Sequence, residues 1–266
     1  MGNSSQWIFG LALGIVAALV GYLIGGLTPA GAIAAAVVGT LTMGGGGIAP
    51  AVLLLLFFFS SSALSRVGGE RKRAAQSFFS KKAQRDPGQV LANGALAAGL
   101  SVVYGLGGSQ AWFAGLSGAL AAVTADTWAT ELGVLAPGRP RLITTGELVE
   151  AGTSGGVSLL GSVAATAGAL LIALAAGGFG AGRRVIPASL IGGIAGVVLD
   201  SLLGATVQTS YFCPECKKQT ERHPLHTCGT ETVHTRGWRW MNNDGVNFVA
   251  SVAGAVVAVG VWVVTG

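Results

Sequence analysis

Charge is what this sequence has least of. Its 266 residues include 16 Lys or Arg and 11 Asp or Glu, so 10% are charged while 51% are hydrophobic. No phosphate-binding Gly-rich loop of the Walker type and no protein-kinase signature set is present. With three histidines, no Ser-His-Asp arrangement suggests itself, and His234 reads as an ordinary surface residue. Basic residues are not interleaved with aromatics, which argues against nucleic acid as a partner. The first apolar run lacks a charged n-region and a convincing cleavage site, so it reads as a span and not a signal peptide. No convincing internal repeat is found.

What is there is long apolar sequence. Mean hydropathy is +0.64, and several runs approach the roughly 20 residues that cross a bilayer as a helix. The expectation is an all-α, polytopic membrane protein, a single transmembrane domain over residues 1–266. About eight spans are read, at Trp7–Leu27, Pro29–Met43, Ile48–Ser65, Gln89–Gly107, Ala111–Leu132, Gly155–Gly178, Val185–Val207 and Val246–Val264. Gly44–Gly47 and Pro50 leave open whether spans two and three are a true pair or one re-entrant segment. The 44 glycines suit close helix packing in lipid.

The basic residues orient the chain. All but Arg183 and Arg184 fall in the loops after spans three, five and seven. Eight spans put those loops on one side, which the positive-inside rule makes cytoplasmic, with both termini outside. The net charge of +5 follows from that topology and from contact with anionic headgroups.

All three cysteines lie in the loop after span seven: Cys213-Pro-Glu-Cys216, then His226-Thr-Cys228. Two ligand pairs of this kind close a tetrahedral structural zinc site. His226 is the better fourth ligand and His223 the alternate. Residues 209–240 thus read as a zinc-ribbon-like insertion that stiffens the loop before Trp238–Asn247, with an indirect link to function.

Five polar sets fall at cytoplasmic span ends. They are Ser60–Ser62; Gln84–Asp86 with Gln89 and Asn93; Asp126, Thr127, Thr130 and Glu131; Thr153–Ser158; and Asp200 and Gln208 with Asn242–Asp244 and Asn247. Serines at a span end often satisfy backbone groups, and amides often join helices. Thr153, Ser154, Gly155 and Gly156 fit equally a helix N-cap and an anion site. Acids inside spans are costly and usually face an ion, a partner or a substrate path. Asp126 and Glu131 are five residues apart and diverge by roughly 140° on a helix, so they converge only if the helix ends or lines a wide cleft. Carboxylates, arginines and glycine-rich amides match magnesium with phosphates, and phosphoryl transfer needs little beyond positioning and charge neutralisation.

Several motifs are familiar: FFFSSS at Phe57–Ser62, GQVLANG at Gly88–Gly94, ADTWATELG at Ala125–Gly133, PRLITTGE at Pro140–Glu147, GTSGGVS at Gly152–Ser158, LDSLLGATVQ at Leu199–Gln208 and WMNNDGVN at Trp240–Asn247. In order and over about Gly31–Phe248, they resemble an integral membrane family that includes animal transmembrane protein 19 and the plant phytyl-phosphate kinase. Ser154 stands where that pattern usually has Asn, and the cysteine loop is similar to the prokaryotic branch, which places the chain in a prokaryotic cell membrane.

The resemblance implies a prenyl monophosphate kinase. It would pass a phosphoryl group from a nucleoside triphosphate, expected to be CTP, to an isoprenoid monophosphate. Asp126, Glu131 and Asp200 would organise magnesium and phosphate with Asn243 and Asn247. Arg85, Lys81 and Lys82 would neutralise charge, and the Thr153–Gly156 amides would cradle a phosphate. Ser61, Ser62, Gln89, Asn93, Thr127, Thr130 and Gln208 complete the expected binding set. The prenyl tail would lie between spans among membrane lipids, and a homo-oligomer is compatible with this reading. The rivals are a transporter or flippase of a phosphorylated lipid or ion, and a lipid cytidylyltransferase.

Overall fold

A computed structural model describes residues 4–68, 84–179 and 182–265; Lys81 and Lys82 lie outside them. Among the described residues are eight helices: α1 (Ser4–Leu23), α2 (Pro29–Gly46), α3 (Ile48–Leu64), α4 (Pro87–Gly107), α5 (Gln110–Gly133), α6 (Leu159–Gly178), α7 (Val185–Thr206) and α8 (Asn243–Val264). They match the eight apolar runs. Six are long and apolar enough to cross a membrane, while α3 has 17 residues. The remaining helix, α5, is central: it packs on α3, α4, α6, α7 and α8, and every residue from Phe113 to Ala125 is buried.

Turn chemistry sets the boundaries. Helix α1 stops four residues before the expected Leu27 because Gly25 adopts φ +72°. Gly26 N then donates to Gly21 O and Gly25 N to Tyr22 O (both 2.9 Å), a Schellman ending. Thr28 caps α2, its Oγ1 accepting from Gly31 N (3.0 Å), and Pro29 follows at the first position, where a missing N–H costs nothing. Helices α2 and α3 are separate helices joined by Gly47 alone, at φ +81°; the segment is a helical pair.

The odd-numbered helices run one way and the even-numbered the other. One end of the bundle carries the α1–α2 turn, the end of α3, the start of α4, and the long connections after α5 and α7. Between α5 and α6, β1 (Arg141–Leu142) pairs antiparallel with β2 (Gly156–Val157). Between α7 and α8, β3 (Ser210–Cys213), β4 (Lys218–Thr220) and β5 (Val233–Arg236) form an antiparallel sheet of order β4-β3-β5. This ribbon is fastened to the bundle by Arg236, whose guanidinium donates to Ala205 O (2.7 Å) and Gly204 O (2.9 Å). Those are carbonyls at the α7 C-terminus, where a cation is favoured.

The parallel pair α5 and α7 keeps one register along its length. Ser117 Oγ meets Ser189 Oγ at 2.6 Å. A Cβ on Gly193 would lie 2.8 Å from Ala121 Cβ, and one on Gly196 2.4 Å from Ala122 Cβ. Helix α8 closes on both: a Cβ on Gly192 would lie 2.4 Å from Gly254 O. Small residues therefore bring backbones to contact, as lipid-embedded helices favour.

Outside, the bundle is apolar. Leu11, Ile15 and Leu19 on α1, Val163 and Leu174 on α6, and Val256 and Val263 on α8 are all exposed. Trp7 and Trp112 mark the end away from the ribbon, and Trp238 and Trp240 stack at the ribbon end, ring centroids 5.3 Å apart. Tryptophans at two levels fit the two faces of a bilayer.

Candidate functional site

One cavity of about 500 Å³ opens at the ribbon end. Its walls draw on α4 (Gln89, Asn93), α5 (Asp126, Thr127, Thr130, Glu131), the β1–β2 segment (Thr153–Gly156), α7 (Asp200) with Gln208 beyond its end, and α8 (Asn243, Asn247). Ser65, Arg85 and Glu221 add to the polar lining. Residues scattered over more than 150 positions of sequence thus meet in one place.

The acids divide between two walls. Four residues beyond the Ala122–Gly196 contact, the shared register of α5 and α7 puts Asp126 and Asp200 in side-chain hydrogen-bond contact. Asn247 of α8 joins them: with its amide oriented by the acceptors around it, the nitrogen donates to Asp200 Oδ2 (3.1 Å) and Asn243 O (3.2 Å). Two carboxylates in contact need a proton or a cation between them. Glu131 does not join this pair. It faces the other wall, where Ser65 Oγ donates to its Oε1 (2.5 Å) and the Arg85 charge lies close by. The expected trio of Asp126, Glu131 and Asp200 is therefore a pair plus a separate acid, as the 140° divergence on α5 requires.

Arg85 is held from all sides. Its amide donates to Gly26 O and its carbonyl accepts from Thr28 N (both 3.0 Å). Its Nη1 donates to Ser62 Oγ (2.8 Å), and its guanidinium lies over Phe57 and Phe58, 5.8 and 5.5 Å from their centroids, a cation–π seat. Burial pulls the guanidinium below its usual value, and the Glu131 charge works against that. The Phe57–Ser62 run is thus the cradle of Arg85. Ser61 and Ser62, expected on phosphate, are instead buried and do not line the cavity, because their turn of α3 faces inward. Asp86 caps α4, accepting from Gln89 N (2.9 Å), and this points Gln89 and Asn93 at the site.

Of the two readings of Thr153–Gly156, the helix N-cap is the one the fold excludes. Gly155 takes φ +80°, a value no helix uses, and Gly156 and Val157 pair with β1. The α6 cap is Ser158, accepting from Gly161 N (3.1 Å). A Cβ on Gly155 would lie 2.5 Å from Ala205 N, so the loop rests on the last turn of α7. The cavity-facing amides are those of a turn, and the helix-dipole argument does not apply to them.

The ribbon supplies a residue that sequence reasoning missed. Ser154 Oγ and Gln208 Nε2 both donate to Glu221 Oε1 (2.8 and 2.7 Å), which sets Glu221 in the cavity. Nothing local marks it, since an acid after a short strand reads as solvated surface. The ribbon therefore reaches the cavity through Glu221.

At the ribbon's other end, the ligand atoms of Cys213, Cys216, His226 and Cys228 lie within 4.8 Å of one another. Cys213 and Cys228 sulfurs are 3.5 Å apart, and His226 Nδ1 is 3.3 Å from Cys228 Sγ. Tetrahedral zinc with Zn–S near 2.3 Å wants sulfurs about 3.8 Å apart, so the cluster can hold a metal such as zinc. Cys216 N donates to Cys213 Sγ (3.5 Å), and Lys217 turns the knuckle at φ +51°. The Cys216 thiol is pushed up to about 11, first by its hydrogen bond with Cys228, a crowding that a divalent cation relieves. His223 stacks on Tyr211 at 4.5 Å and stands outside the cluster, which includes His226.

A polytopic helical bundle with an apolar belt and one polar cavity defines an integral membrane protein. The chain belongs to the DUF92 family of integral membrane proteins, whose model matches residues 12–255. It is 34% identical over 212 residues to Protein PGR of Arabidopsis thaliana, covering 70% of this chain and 72% of that one. It is 32% identical over 195 residues to an uncharacterized membrane protein of Methanocaldococcus jannaschii, covering 73% and 68%. A Synechocystis membrane protein, also uncharacterized, is 30% identical over 203 residues, covering 74% and 67%. No solved structure matches.

Proposed function

We propose that the protein is a magnesium-dependent kinase of an isoprenoid monophosphate, with a nucleoside triphosphate, CTP foremost, as donor. The observation that carries the reading is the charge of the cavity. Among the described lining residues, Asp126, Glu131, Asp200 and Glu221 are acids and Arg85 is the one cation. Such a site repels two phosphorylated substrates unless divalent cations come with them. The donors fit: all are hard oxygens, and two carboxylates already touch. Magnesium is commonly held by one or two carboxylates, with phosphate and water completing its shell. Asp126 and Asp200 would hold it, with Asn247 fixing Asp200. When bound, magnesium would neutralise phosphate charge and orient the triphosphate.

In the transfer, an oxygen of the acceptor monophosphate attacks the γ-phosphorus, forming one P–O bond as the bond to the β-phosphate oxygen breaks. The products are the prenyl diphosphate and the nucleoside diphosphate. The acceptor is already largely ionised at neutral pH, so no strong base is needed, in keeping with a lining that holds no histidine. Arg85 would take charge on the α4 wall, and the Thr153–Gly156 turn would face a phosphate. The ribbon end would lie in the cytoplasm, where triphosphate is available. Against a carrier, the far half of the bundle is filled by the buried stretch of α5 and its glycine contacts.

The test is purified protein with magnesium, prenyl monophosphates of several lengths and each triphosphate, with product masses read out. A prenyl diphosphate is the expected product. A lipid-linked nucleotide with pyrophosphate would instead make the protein a cytidylyltransferase, and no turnover with any pair would remove the kinase reading.

A further inference from the structure

The cavity does not end at its polar residues. It continues down the seam between α6 and α7, lined by Ser162, Ala165 and Thr166 on one helix and Ile194, Val197 and Val198 on the other. From Ser158 to Thr166 this is roughly 12 Å along a helix, well below the polar mouth.

The seam is shut at its far end and open at its near end. A Cβ on Gly177 would lie 2.6 Å from Ile186, and one on Gly193 2.8 Å from Ala169 Cβ. Continuing that antiparallel register toward the ribbon brings Ala165 opposite Val197 and Ser162 opposite Ser201. At those positions both helices line the cavity. Ala165 and Val197 are buried in the floor, whereas Ser162, Thr166 and Val198 are exposed, Val198 to 44%. Thr166 Oγ1 donates to Ser162 O within the helix (2.9 Å), so it makes no polar demand on an apolar neighbour.

Three of the neighbouring seams are closed, and the apolar recess against Arg85, Gln89 and Asn93 is small, about 70 Å³. Gly118 and Gly254 bring α5 to α8, Gly192 brings α7 to α8, and a Cβ on Gly161 would lie 3.2 Å from Ala129 O, which seals α5 to α6. The lips of the open seam face the exposed apolar belt of the bundle, with Val163 and Ile191 beside them.

We infer that the α6–α7 seam is a lateral portal that seats the hydrocarbon tail of a phosphorylated lipid while its phosphate lies at the Asp126–Asp200 wall. The inference rests on the proposed function for the identity of the head group. Its occupant is one chemical class, an amphiphile with a long apolar chain and a phosphate head, because the seam is continuous with the polar cavity and runs past Ala165, Ile194, Val197 and Val198, with Ser162, Thr166 and Ser201 as its hydroxyls, to the apolar belt. The phosphate alone would need no seam, and a soluble substrate would need no opening toward lipid.

The test places a photoreactive residue at Val198, and separately at Thr166, in full-length protein reconstituted in vesicles. A control carries it at Val256 on the lipid face of α8. The probe is a C20 prenyl monophosphate. Crosslinks at 198 and 166 that excess unlabelled prenyl monophosphate competes away, with none that compete at 256, are expected. Equal, uncompeted labelling at all three sites would overturn the portal. This readout needs no turnover, so competed crosslinks without diphosphate formation would sink the kinase and keep the portal. Diphosphate formation without competed crosslinks would do the reverse. A second variant, Val198→Trp, is expected to lower turnover of the C20 substrate roughly ten-fold more than that of a soluble five-carbon monophosphate. An equal effect on both would count against the portal.

Discussion

The two ends of the α5–α7 interface share a register and differ in chemistry. Away from the ribbon, the register meets in Ser117 and Ser189, two neutral hydroxyls that satisfy each other in a sealed interface. At the ribbon end it meets in Asp126 and Asp200, two acids that cannot be satisfied by each other while both are charged. Between them, Gly193 and Gly196 press the helices together. One packing pattern therefore glues the bundle at one end and forces two carboxylates into contact at the other. The contact is a consequence of the register, and it is the basis on which a cation seat is proposed there.

The largest expected effect breaks the acidic end. Asp126→Asn or Asp200→Asn should lower phosphoryl transfer by roughly 10³-fold or more, with the helical circular dichroism signal and expression retained. Comparable turnover in either variant would detach the pair from the chemistry. Next comes the ribbon that seats Glu221. Cys213→Ser should abolish zinc in metal analysis of purified protein and lower transfer about 10- to 100-fold. Normal metal content in that variant would refute the cluster.

Smaller effects act on the packing. Gly196→Leu must displace Ala122 Cβ, 2.4 Å from its first added carbon, and should cost about 1–3 kcal/mol in thermal unfolding, with activity lost through separation of the acids. Smallest is the neutral end: Ser117→Ala should cost about 0.6 kcal/mol and leave transfer unchanged. A large activity loss there would erase the difference between the two ends.

Much of this was legible in the sequence because the signals were local. Apolar length and turn glycines set the helices, and the Cys213–Cys228 spacing carried the metal cluster. The polar residues that end each span were found because acids and amides stand out against apolar runs. What escaped depends on tertiary register. That Asp126 and Glu131 diverge was legible in their spacing, but which partner each would meet was not. Glu221 had no signal, since its place is set by Ser154 and Gln208 from other segments. Ser61 and Ser62 looked like ligands because hydroxyls at a span end are chemically apt; only the position of Arg85 shows Ser62 to be its support. Thr153–Gly156 looked like a helix start because glycine and serine serve caps and turns alike.

The most direct measurement is a manganese titration by electron paramagnetic resonance on zinc-loaded protein, with Mn²⁺ standing for a hard divalent cation. Wild type and Glu131→Gln should each bind one more tight equivalent than Asp126→Asn or Asp200→Asn. Undiminished binding in both Asn variants, or its loss only in Glu131→Gln, would contradict the Asp126–Asp200 pair as the cation seat.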